Sequence, residues 1–61
     1  MGPGSKREII FEFIRMGGSV KVAAIDVASG TEVSIIGPAN AMEMDLKRLA
    51  AAKLERMLSK K

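Results

Sequence analysis

The sequence predicts an α+β domain of order β-β-β-α: a three-stranded antiparallel meander with one C-terminal helix packed on one of its faces. Three observations predict it. Ile9, Phe11 and Phe13 alternate with Ile10, Glu12 and Ile14, and β-branched and aromatic residues at period two favour a strand. Glycine-containing turns, Gly17-Gly18 and Val27-Ala28-Ser29-Gly30, punctuate the next two extended stretches. From Asn40 onward the chain turns Ala-, Leu- and Met-rich and holds no Gly or Pro, so the period changes to that of a helix.

The first strand spans residues 8–16. Gly17-Gly18 suits a two-residue hairpin loop with φ > 0 at both central positions, which pairs Phe13 with Val22 and Phe11 with Ala24. The second strand runs Ser19 to Asp26, and the third Thr31 to Ile36. A three-residue second loop would turn Val33 and Ile35 away from the phenylalanines, because a one-residue slip reverses every side chain. A four-residue loop, Val27 to Gly30, instead pairs Ala24 with Val33 and Val22 with Ile35. Gly30 then supplies the left-handed residue, and Asp26 accepts backbone N–H bonds across the turn. Gly37-Pro38 is expected to stop the sheet, since proline cannot donate to a ladder. The expected core face is Ile9, Phe11, Phe13, Val20, Val22, Ala24, Val33 and Ile35.

Asn40 with Glu43 has the spacing of a capping box, which places the helix from about Asn40 to Leu58. Leu46, Ala50, Leu54, Met57 and Leu58 form its inner side, with Met42 and Leu49 flanking. A helix of this length matches the strands beneath it, so it can cover one sheet face lengthwise. Lys53 falls between Leu49 and Met57 on the wheel and must either snorkel or mark the margin of the buried stripe.

Gly18-Ser-Val-Lys-Val-Ala-Ala-Ile-Asp26, the Ala28-Ser-Gly-Thr-Glu-Val33 turn and Ile36-Gly-Pro-Ala-Asn40 together resemble a family of short uncharacterised bacterial proteins. The resemblance covers nearly the whole chain after Met1-Gly-Pro-Gly-Ser5, which reads as an expression scar. It implies a single small domain over residues 6–61 and carries no assigned activity, so it transfers no catalytic residue.

Composition excludes several function classes. The chain has 61 residues, 48% of them hydrophobic, and no Cys, His, Trp or Tyr. Disulfides, thiol nucleophiles and imidazole catalysis are therefore absent, and the expected counts of catalytic, cofactor and metal sites are zero. Ser19 with Lys21 is the nearest approach to a nucleophile and base, and nothing suggests a depressed lysine pKa or an oxyanion hole. No apolar stretch suits a membrane span or a secretory signal, so a cytoplasmic location without membrane binding is expected. Gly37-Pro-Ala-Asn40 lacks the glycine spacing and lysine of a phosphate loop.

The net charge is +3. Residues 1–38 hold four bases and four acids, so the whole excess lies in the helical segment. Lys47, Arg48, Lys53, Arg56 and Lys60 are the candidate contacts of a nucleic-acid-binding reading. The plainer account is helix electrostatics, with Glu43 and Asp45 near the N-terminus and the bases toward the C-terminus. The sequence also offers no exposed aromatic residue for base stacking.

The second sheet face gives the leading functional expectation. One helix covers one side of a sheet, so Ile10, Ile14, Ile25 and Ile36 on the other side have no partner within the chain. A domain of this size also lacks the core to be very stable alone and has neither disulfide nor metal to help. The expectation is a non-enzymatic interaction module that self-associates, most simply as a dimer, through that free face or through a strand edge.

Overall fold

The structure, a computed structural model, describes residues 8–59. Strand β1 (Ile9–Met16), strand β2 (Ser19–Asp26), strand β3 (Glu32–Pro38) and helix α1 (Glu43–Ser59) follow in that order. The sheet is antiparallel with β2 in the centre, and α1 lies on one face. Residues 1–7, together with Lys60 and Lys61, lie outside the described residues.

Both hairpins have the register that face-matching requires. Phe11 faces Ala24 and Phe13 faces Val22, while Val22 faces Ile35 and Ala24 faces Val33 across the second ladder. Only Gly17 (φ 64°) is left-handed in the first turn. This is the pattern of a II′ turn, which asks for glycine at the first central position alone. In the second turn Gly30 (φ 76°) is left-handed and its amide donates to the Asp26 carbonyl at 2.8 Å. The Asp26 carboxylate accepts from the Ser29 amide at 3.1 Å and from the Ser29 hydroxyl at 2.6 Å. That network lets a carboxylate end a central strand while buried.

The third strand does not end at Ile36. Gly37 pairs with Val20 and Pro38 with Ser19. The amide of Ala39 donates to the Gly18 carbonyl at 2.9 Å, so by antiparallel alternation the backbone nitrogen of Pro38 faces away from β2. Proline there breaks no bond of the sheet.

The core is Val20, Val22, Ala24 and Val33 of the sheet against Leu46, Ala50 and Leu54 of α1. Gly37 is part of this contact. A β-carbon at that position would stand 2.6 Å from a methyl of Leu46, whose side chain is itself buried. Gly37→Ala is therefore expected to cost about 1–3 kcal/mol, the range of an overpacked core. Urea denaturation measures it, and an unchanged midpoint would show that Leu46 moves aside freely.

The helix begins later and sits further to one side than the sequence suggests. Asn40 lies in a turn closed by donation from the Ala41 amide to the Pro38 carbonyl at 3.0 Å. The first helical bond runs from the Leu46 amide to the Met42 carbonyl at 3.1 Å, so Met42 holds the N-cap position and the Asn40–Glu43 capping box does not form. Laterally, α1 packs over β2 and β3. Lys53 reaches over the free edge of β3 to the Ser34 carbonyl, and on the same side of the helix the flanking Leu49 is 59% exposed and Met57, expected on the inner side, is 48% exposed. On the opposite flank, Ile9, Phe11 and Phe13 of β1 are only half-buried.

Candidate interaction surface

The sheet face away from α1 is ordered by the pairing register. One cross-strand row reads Ile10, Ile25, Glu32; the next reads Glu12, Ala23, Ser34; the third reads Ile14, Lys21, Ile36. Ile10 is 49% exposed, Ile14 46% and Ile36 66%, whereas Ile25 in the central strand is half-buried. Ala23 occupies the middle of this face and is nevertheless 2% exposed. The four isoleucines are thus on one face, but Lys21 separates Ile36 from Ile14, and the apolar side leans toward β1.

The two sheet edges differ. The amide of Val27 donates to the Glu8 carbonyl at 3.1 Å, so alternation turns the backbone groups of Ile9, Phe11, Phe13 and Arg15 outward. Nothing among the described residues pairs with them. On β3 the outward groups are those of Glu32, Ser34, Ile36 and Pro38. There Lys53 Nζ donates to the Ser34 carbonyl at 2.9 Å, and Pro38 has no N–H to offer. A lysine and a proline on an edge are the usual means of discouraging strand addition.

The basic residues of α1 do not gather. Lys47 Nζ stands 5.2 Å from the Phe11 ring centroid, on the β1 side. Lys53 lies over the opposite edge, on Ser34. Arg48 is 3.9 Å from Asp45, an exposed pair one turn apart. Arg56 borders a depression of about 440 Å³ lined with Ala52, Glu55, Leu58 and Ser59, all of the same helix. Lys60 lies outside the described residues. A second hollow, of about 110 Å³, opens between β1 and the start of α1 and is lined by Phe13, Arg15, Val20, Glu43 and Leu46 among others. It is far below the volume that encloses a typical substrate. Among the described residues no three carboxylates converge in a way that would hold a metal ion. No helix of the described residues is long and apolar enough to cross a membrane.

The family described as "Domain of unknown function (DUF6898)" matches residues 6–61. The chain belongs to that family. Comparison with curated proteins and with solved structures finds no match.

Sequence reasoning did not separate the two edges, because Lys53 and Ser34 are nineteen residues apart and only the packing of α1 brings them together. It also missed the exposed strip of Met42, Leu49 and Met57, since a wheel gives the faces of a helix but not where the sheet beneath it ends.

Proposed function

We propose that this protein is a non-enzymatic interaction module whose partner is a second copy of itself. One observation carries the reading: Ile10, Ile14 and Ile36 are 49%, 46% and 66% exposed on a sheet face that no described element covers. Size adds to it, because a 61-residue chain without cysteine or histidine has few other means of gaining stability.

Self-association of the native state links stability to protein concentration. The thermal midpoint is expected to rise by about 6 °C for each tenfold increase in concentration, given the small unfolding entropy of so short a chain. A midpoint independent of concentration would defeat the reading. The dispersed bases of α1 give nucleic acid a weaker claim. A complex with mixed DNA or RNA at low salt that is lost steeply as salt rises would favour that alternative.

A further inference from the structure

We propose that the second copy joins through the outer edge of β1, antiparallel and about a two-fold axis, so that two three-stranded sheets become one of six strands. This inference rests on the self-association reading and specifies its route. Two observations select the edge. The β3 edge is occupied by Lys53 on the Ser34 carbonyl and interrupted by Pro38, whereas the β1 edge has outward amides and carbonyls and neither device. The displacement of α1 toward β3 leaves Ile9, Phe11 and Phe13 half-buried along that same edge, and an added strand covers them. The charges also discriminate among registers.

In an antiparallel pair, directly opposed residues share a face, so β1 meets its copy with Phe11, Glu12 or Phe13 on the axis. The register centred on Glu12 sets two carboxylates directly opposite one another and is disfavoured. Centring on Phe11 sets Ile9 opposite Phe13 and Phe11 opposite its own copy, so the three directly opposed helix-side pairs are apolar, while Glu8 and Glu12 of one copy face Ile14 and Ile10 of the other. Centring on Phe13 sets Glu12 opposite Ile14, beside Lys21 of the same copy as that Ile14. The outward residues are those that a new ladder bonds, so the Phe11-centred register forms three bonded pairs, about six backbone hydrogen bonds.

Amide hydrogen exchange on the intact chain at dimer-forming concentration tests this directly, with the Ile36 amide on the outer edge of β3 as the internal reference. The Phe11 and Phe13 amides are expected to exchange at least about tenfold more slowly than that of Ile36, and dilution should abolish the difference. A synthetic chain with an N-methylated Phe11 amide, its side chain unchanged, should remain folded by circular dichroism and become monomeric. A dimer whose Phe11 and Phe13 amides exchange as fast as Ile36's would overturn the edge route and leave self-association through the sheet face standing. A folded monomer at every concentration would overturn both.

Discussion

Leu54→Ala is expected to remove a large share of the protein's stability and to lower its urea midpoint sharply. Leu54 is fully buried, at the centre of the contact between α1 and the sheet. Truncating a buried leucine to alanine costs about 2–5 kcal/mol, because the transfer energy of the lost atoms is compounded by the cavity they leave. A domain of this length has about 3–9 kcal/mol in total. The matching control is Leu49→Ala on the same helix. Leu49 is 59% exposed, so its loss should stay within about 0.5 kcal/mol. Far-UV circular dichroism with urea titration measures both, and equal effects would mean that α1 is rotated from the packing described.

Ile14→Glu is expected to keep the fold and weaken the dimer, while Ile36→Glu keeps both. Ile14 and Ile36 flank Lys21 in one cross-strand row, so a glutamate at either position gains a lysine neighbour within its own copy. Only Ile14 lies beside the proposed seam. With Phe11 on the axis it faces Glu8 of the other copy, and with Phe13 on the axis it faces Glu12, so a new carboxylate meets an old one either way. The dissociation constant should rise at least about tenfold for Ile14→Glu, equivalent to about 1.4 kcal/mol, and stay within about threefold for Ile36→Glu. Size-exclusion chromatography with light scattering gives both values. The reverse order would place the interface at the β3 side of the sheet face. Ile25→Glu is a poorer probe, because Ile25 faces Glu32 and the substitution sets like charges opposite each other within the folded chain.

The strands and both registers were legible because period-two alternation and face-matching leave one consistent loop length at each hairpin: Phe11 and Phe13 align with Val33 and Ile35 in one combination only. The Gly30 and Asp26 turn was legible for the same reason, since its chemistry is local. The start of α1 was not. Asn40 and Glu43 have capping spacing, but the turn from Pro38 to Ala41 takes up Asn40 first, and no short-range pattern ranks the two. Gly37-Pro38 reads as the end of the sheet because proline cannot donate to a ladder, whereas the purpose of Gly37, the close approach of Leu46, depends on a residue of another element. The candidate face was half legible. Its four isoleucines follow from alternation, whereas the guarding of one edge by Lys53 and Pro38 and the openness of the other follow from the lateral position of a helix that no periodicity encodes.

The central claim is that this fold does not stay single. Sedimentation equilibrium of the unmodified chain, from about 1 μM to about 1 mM, measures that without a variant or a label. The weight-average mass should climb from 6.5 kDa toward twice that value as concentration rises. A mass that stays at 6.5 kDa across the whole range, with the circular dichroism of a folded chain, would contradict the account.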